Sequence, residues 1–288
     1  MILLTGAAGK TGRAILAALN KQGVSTRAFV RDQKQADSLS EFHGIDFATG
    51  DLGDFNSLAS AVEGIDKIYY ICPNLSTHEL EIGQNLLILA KRHNINHFVY
   101  HSVLHPQIEK MPHHWQKMRV EEMIFESGID FTILQPCAYM QNILGNWKSI
   151  INEGIYSVPY ALSSRLSILD LADLGQAAAN ILMQNSHLNA IYELAGPQAL
   201  SQEEVAKILS ECLNKVVIAK AIDRQTWAAN ARNSGMQENE ISILIKMFEY
   251  YENFGLVGNS SILTQLLGRK PSSLSDFIKR YLSSGGNH

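Results

Sequence analysis

The sequence predicts an α/β protein built around a doubly wound parallel sheet, with a smaller α/β part toward the C-terminus. Three observations carry this reading. Short apolar runs alternate with helical segments through the first half of the chain. Glycines recur at 6, 9 and 12 in TGAAGKTG, directly after the first apolar run. The 288 residues are 46% hydrophobic and only 18% charged, enough apolar material for a large buried core. Strand–helix alternation at this spacing forces parallel pairing, because each strand must cross back through a helix to reach its neighbour. Ligands of such sheets bind at the carboxyl ends of the strands.

Taken in order, MILLTG is a short apolar run closed by glycine, and 12–20 has helical spacing. VSTRAFV is rich in β-formers and alternates in part; a polar helix follows near 33–42. IDFATGDL is a third strand, and the helix over 54–62 has Asp54 as its cap. DKIYYICP precedes a longer helix over 79–93, NHFVYHSV a helix over 112–126, and DFTILQP is the sixth strand. Beyond about residue 145 the rhythm loosens. Strands are expected near 154–160, 165–169, 190–196 and 216–221, and a helix over 170–183. SQEEVAKILSECL is a helix with Ser201 and Glu204 as a capping box. The rest, including KMFEYYENF and LSDFIKRYL, reads as helical, with GRKPSSL a loop and SSGGNH a tail. The expected division is 1–145 as the nucleotide-binding domain, recruiting segments of the second half, and 146–288 as a substrate-binding part.

Composition narrows the function. A net charge of −4 and the lack of any Lys/Arg block argue against general nucleic-acid binding. Cys72, Cys137 and Cys212 are widely spaced and form no CxxC pair, so they read as reduced thiols, and no metal site is expected. There is no signal-like N-terminus and no apolar stretch of the ~18–20 residues a membrane span needs. A soluble, cytoplasmic protein is expected.

The loop TGAAGKTG decides the ligand. Gly9-Lys10-Thr11 resembles the end of a phosphate-binding P-loop, but that motif needs a glycine five residues before Gly9, and Leu4 stands there. A Gly-x-x-Gly-x-x-Gly turn between strand and helix fits instead, and makes the fold Rossmann-type. Gly6 allows the tight turn, Gly9 lets backbone approach a pyrophosphate, and Gly12 lets the helix pack on the strand. The helix N-terminus then faces the phosphates. Lys10 and Thr11 become loop residues, exposed or touching phosphate. A purely structural turn is the alternative.

At the end of the second strand, NAD sites place an acid on the ribose hydroxyls, ~20 residues beyond the turn. Here Arg31 holds that place, with Asp32 beside it and Lys34 close by. A guanidinium suits a 2′-phosphate by charge and by its planar fork of donors, so NADP(H) is preferred over NAD(H). The alternative leaves Arg31 solvated and gives the ribose to Asp32. Asp51 and Leu52, after the third strand, are placed beside the adenine.

TGAAGKTG, the Val30-Arg31-Asp32 step and KMRVEEMIFESGIDFTILQPCAYMQN together resemble the NmrA-like branch of the atypical short-chain dehydrogenases/reductases. That pattern falls here on Lys117, Glu121, Ser127-Gly128, Thr132-Ile133-Leu134-Gln135-Pro136 and Asn142. DLADLGQAAA, YELAGPQALSQEEVA and GRKPSSLSDFIKRY extend the resemblance over nearly the whole chain. It implies a Rossmann domain with a smaller substrate part. Activities in that family range from NADPH-dependent quinone reductases to proteins that sense NADP(H) without turnover. The chain departs from the superfamily's Tyr-x-x-x-Lys, having His113 four residues before Lys117, and it has Gln135 where the family usually has arginine.

On a helix, His113, Lys117 and Glu121 share one face. Lys117 is the candidate to hold the nicotinamide ribose. His113, with an ordinary pKa near ~6.5, is the candidate proton or hydrogen-bond donor to substrate, with His114 competing and a surface histidine as the alternative. The resemblance adds Ser102 as a catalytic candidate at the fifth strand's end. Pro73 and Asn74 follow the fourth strand and are placed along the cofactor ribose, and Pro136 and Cys137 follow the sixth, toward the nicotinamide. Cys137 reads as a small wall residue. Phe248, Tyr250, Tyr251 and Phe254 read first as packing, then as a substrate wall.

Without the tyrosine an alcohol dehydrogenase would lack support for its localised alkoxide. A hydroquinone anion is delocalised and takes its proton from water. The expected function is therefore hydride transfer from NADPH to a quinone or similar activated small molecule. The alternative is an NADP(H)-sensing regulator acting through a protein partner.

Overall fold

The computed structural model describes residues 1–285; the end of the SSGGNH tail, 286–288, lies outside the described residues. The chain begins β1 (Ile2–Leu4), α1 (Lys10–Lys21), β2 (Thr26–Val30), α2 (Gln33–Asp37), β3 (Asp46–Thr49) and α3 (Phe55–Val62). It continues β4 (Lys67–Tyr70), α4 (Glu79–Arg92), β5 (His97–His101), α5 (Pro112–Ser127) and β6 (Phe131–Pro136). Then come β7 (Ala138–Tyr139), a 3-10 segment (Met140–Asn146), α6 (Trp147–Glu153), β8 (Ile155–Val158), β9 (Leu166–Leu169), α7 (Leu171–Met183) and β10 (Ala190–Leu194). The last elements are β11 (Gln198–Leu200), α8 (Gln202–Leu213), β12 (Ile218–Ala221), α9 (Arg224–Asn233), α10 (Glu238–Phe254), α11 (Ser261–Leu267) and α12 (Leu274–Ser283). Among the described residues no helix is long and apolar enough to cross a membrane.

Contacts group the chain into two compact units. The first comprises Met1–Ile108, His113–Pro136 and Leu171–Glu193; the second comprises Glu109–Pro112, Cys137–Asp170 and the chain from Leu194 onward.

The first unit holds a seven-stranded sheet in the order β10-β6-β5-β4-β1-β2-β3. Neighbours from β3 through β6 all pair in parallel. This is a Rossmann-type fold, and its strand order reverses between β1 and β4, the switch point at which such sheets take their ligands. Strands β1, β4, β5 and β6 are largely buried on both faces, as helices covering both require, while the edge strand β3 is mostly exposed. On one side Leu3, Phe29, Ile68, Phe98 and Ile133 of the sheet pack against Leu58, Leu86, Val120 and Ile124 of α3, α4 and α5. Asp54 caps α3 by accepting from the backbone N–H groups of Asn56 and Ser57. Gly175 of α7 faces α1 so closely that a Cβ there would stand 2.3 Å from the Ala14 carbonyl oxygen.

In the second unit β9 pairs antiparallel with β11 and parallel with β7, and β8 pairs in parallel with β12. Trp147, Ile150, Leu209, Phe277 and Ile278 lie in its core. The Ser201–Glu204 capping box opens α8.

Two stretches differ from the sequence reading. The helix expected over 33–42 stops at Asp37. There Ser38 Oγ donates to the Gln35 carbonyl and receives Arg13 Nη2, each at 2.7 Å, so the chain leaves the helix in tight turns. The segment 140–153, to which the sequence reading assigned no element, forms the 3-10 segment and α6, ended by Gly154 in the left-handed conformation at φ 69°.

Candidate functional site

The glycine turn sits at the switch point. Thr5 Oγ1 accepts from the Ile71 backbone N–H and donates to the Ile71 carbonyl, both at 2.8 Å, tying the end of β1 to the end of β4. Gly6 then reverses the chain at φ +61°, a left-handed conformation favouring glycine. Gly9 N–H donates to the Gly6 carbonyl at 3.0 Å and closes the turn. Gly12 is the most constrained of the three, since a Cβ there would lie 2.1 Å from Gly6 O and 2.7 Å from Ala7 Cα. α1 begins behind Gly9 with no side-chain cap and no acid in its first turn. Its first backbone N–H groups, among them those of Lys10 and Thr11, therefore point out of the helix unsatisfied by it. Such an end attracts phosphate. The residues present fit a dinucleotide: a cradle that a Cβ would fill, beneath an uncapped helix N-terminus.

At the end of β2, Arg31, Asp32 and Lys34 are all exposed. Asp32 is the N-cap of α2, its carboxylate accepting from the Gln35 N–H at 2.9 Å. Gln35 answers by accepting from the Arg31 backbone N–H at 2.9 Å. The acid at the end of β2 is thus engaged by the helix it opens, while the Arg31 side chain is exposed. At the end of β3, Asp51 Oδ1 accepts from the Gly53 N–H at 2.8 Å, and Leu52 packs against the sheet's core. Pro73 and Asn74 are exposed just after β4. They are followed by Leu75, a non-glycine residue at φ 60°.

Lys117 lies deeper. Its ammonium donates to Glu79 Oε1 at 2.6 Å and to the His101 carbonyl at 3.4 Å, and sits 5.6 Å from the centre of the Tyr100 ring. Its side chain is 13% exposed and that of Glu79 3%. Tyr100 hydroxyl donates to the same Glu79 oxygen at 2.7 Å. Nothing in the local sequence singles out Glu79, which opens α4 as an acid commonly opens a helix.

His113 and His114 are both buried, with rings edge to face at 4.6 Å. Burial, reinforced by the charges of His114 and Lys117, pushes His113 down to about 3. Burial likewise takes His114 down to about 4 and His101 to about 3. At neutral pH His113 is therefore an uncharged imidazole, able to donate an N–H hydrogen bond but not to act as an imidazolium acid. Its Nδ1 is buried without a protein partner. His114 Nδ1 lies 3.2 Å from the His105 carbonyl.

Ser102 is buried at the end of β5 and donates its hydroxyl proton to Glu121 Oε1 in a short hydrogen bond. Gln135 Nε2 reaches both Glu121 oxygens, at 3.0 and 2.9 Å. Gln135 thus supplies an amide, in place of a guanidinium, to a buried carboxylate. Burial raises the Glu121 pKa, against the lowering effects of Ser102, Gln135 and Lys117. Ser102 is committed to this network.

Pro136, buried at the end of β6, accepts from the Leu104 N–H at 2.8 Å. In the second unit, Cys137 is 3% exposed and burial pushes its thiol up to about 12, which disfavours the reactive thiolate. There Phe248 and Tyr251 pack around Tyr160 at 5.9 and 5.7 Å, and Trp227 packs edge-on against Phe248 at 4.7 Å. Tyr250 and Phe254 pair separately at 4.9 Å.

Known proteins resemble this chain in sequence and in fold. The NAD(P)H azoreductase of Xenophilus azovorans is 27% identical over 288 residues, 99% of each chain. Quinone oxidoreductase 2 of Escherichia coli K12 is 25% identical over 280 residues, covering 96% of this chain and 97% of that protein. The crystal structure of the E. coli NADPH-dependent quinone oxidoreductase QOR2 complexed with NADPH matches with a TM-score of 0.85. It covers 98% of this chain and 100% of that one at 24% identity, a likeness of fold. The model of the NmrA-like family matches residues 1–280, from the glycine turn through most of α12, and the chain belongs to that family.

Proposed function

We propose that this protein is an NADPH-dependent oxidoreductase that reduces a quinone or a similarly activated small molecule. The observation that carries the reading is the cradle of Gly6, Gly9 and Gly12 beneath the uncapped start of α1, at the switch point of the sheet. Relatives named as an azoreductase and a quinone oxidoreductase, aligned over nearly the full chain, favour turnover over a purely sensing role.

NADPH, when bound, supplies the hydride. The first turn of α1 receives the pyrophosphate, with Lys10 and Thr11 at its rim. Arg31 and Lys34 meet the 2′-phosphate; Asp32, engaged in capping α2, does not compete for the ribose. Asp51 and Leu52 flank the adenine, Pro73 and Asn74 the adjoining ribose, and Lys117 the nicotinamide ribose. Pro136 and Cys137 contribute small, unreactive walls. His113, neutral and with a buried unpartnered Nδ1, is placed to hydrogen-bond an acceptor oxygen. No residue of the cluster needs to deliver a proton in the hydride step, because a reduced quinone spreads its charge and is protonated by water.

The test is steady-state oxidation of NADPH and NADH against a panel of quinones, enones and imines. NADPH consumption with quinones is expected, and Arg31→Ala should raise the NADPH KM ~10-fold or more while leaving NADH nearly unchanged. Binding of NADPH with no consumption on any acceptor would sink the enzymatic reading. An equal effect of R31A on both cofactors would remove the assigned preference.

A further inference from the structure

The pairing of Glu79 with Lys117 goes one step beyond that reading and rests on it. We infer that Glu79 is a positioning residue: held by Tyr100 and Tyr70, it fixes the Lys117 ammonium where the nicotinamide ribose is to be met.

Glu79 is anchored twice. Its carboxylate oxygen Oε1 accepts from Tyr100 hydroxyl at 2.7 Å, and its backbone carbonyl accepts from Tyr70 hydroxyl at 3.2 Å. Tyr70 and Tyr100 are fully buried and stack with ring centres 5.3 Å apart, so neither donor has room to turn away. Burial, with the Glu79 charge beside them, holds both phenols well above their ordinary pKa, which keeps them protonated donors. A lysine side chain ends a flexible four-carbon stem, and an ammonium offers three donors. Here Glu79 Oε1 takes one and the His101 carbonyl a second, leaving the third to a ligand.

The surroundings leave this pairing to Glu79. From the end of β4 comes Cys72, whose thiol burial pushes up to about 11. From β5 come Tyr100 and His101, and from α5 His113, His114 and Glu121. The thiol, phenol and imidazoles are neutral at physiological pH, and Glu121 is bound to Ser102 and Gln135. A buried ion pair is a weak device for stability alone, since apolar residues of similar volume serve as well. Its value here is directional.

The test is a double-mutant cycle read by the NADPH dissociation constant, with thermal denaturation run in parallel. Glu79→Gln keeps the shape and an acceptor oxygen but drops the charge. It should weaken NADPH ~10-fold, the scale of one charge-assisted hydrogen bond. In a Lys117→Met background the same change should add less than ~2-fold, because its partner is gone. Tyr100→Phe, which retains the carboxylate but frees it to rotate, should weaken NADPH by ~2–3-fold and serves if E79Q fails to fold. An E79Q loss of equal size in both backgrounds, or unchanged NADPH binding in folded E79Q or Y100F protein, overturns the inference while leaving Lys117 in its role. NADPH binding unaffected by K117M overturns the role of Lys117 and the inference with it.

Discussion

Gln135 shows how much of a site one side chain sets. Its amide gives Glu121 two hydrogen bonds where the family resemblance led one to expect an arginine, so the carboxylate is satisfied without a full counter-charge. Gln135→Met, similar in volume but without a donor, should leave Glu121 with Ser102 as its principal partner. A loss of ~1–3 kcal/mol in denaturant unfolding is expected, the cost of stripping a buried polar group. That Glu121 follows Lys117 by one helical turn is legible in the sequence; its contact with Gln135 is not, because β6 and α5 meet only in the folded sheet. The same holds for Glu79, separated from Lys117 by 38 positions. His113 was legible as a candidate by spacing, but its protonation state depends on burial, which no local pattern reveals.

The helix pair α1 and α7 repeats the lesson at the level of elements. α1 carries the glycine turn, and α7 presses on it where Gly175 lies beneath Ala14. Gly175→Ala would place a methyl 2.3 Å from a backbone oxygen. The helices must separate, and ~1–3 kcal/mol of stability should be lost as in other overpacked contacts. Because α1 also presents the cradle, NADPH binding should weaken alongside, measurable by titration at a temperature where the variant remains folded. The first six strands and most of the helices between them were legible because they alternate regularly and are punctuated by glycine or a cap; β1 has only three residues but is closed by the glycine turn. β7 and β11, with two and three residues, are too short for any period to appear. α2 is short for a different reason, Arg13 and Ser38 meeting at its end.

For the whole molecule, the balance of buried histidines sets the response to acid. His97 and His114 are pushed down to about 4, and His101 and His113 to about 3, burial being the largest cause in each. All four belong to the first unit. Unfolded, each would take a proton near its ordinary value of ~6.5. Between that value and about 4 the unfolded chain therefore binds more protons than the folded one, so stability must fall as pH falls. The stabilisation is fully present above ~6.5 and drains at up to about 1.4 kcal/mol per pH unit for each histidine. Melting temperatures measured from pH 7.5 to 4.5 should drop steeply below about 6. A flat profile would mean that these imidazoles titrate freely. His97→Gln and His114→Gln should each flatten the profile.

The first unit is drawn from three separate stretches of chain, and this gives its assembly a timetable. As the ribosome releases the chain from the N-terminus, β1 and the glycine turn emerge before the rest of this unit. The helix that braces α1 and the strand beside β6 come only with Leu171–Glu193, after Cys137–Asp170 of the other unit has already appeared. Throughout that interval the growing protein shows an apolar flank on α1 and an unpaired edge on β6, the surfaces on which nascent chains aggregate. The order of synthesis thus leaves both surfaces of this unit without their partners until its last segment arrives.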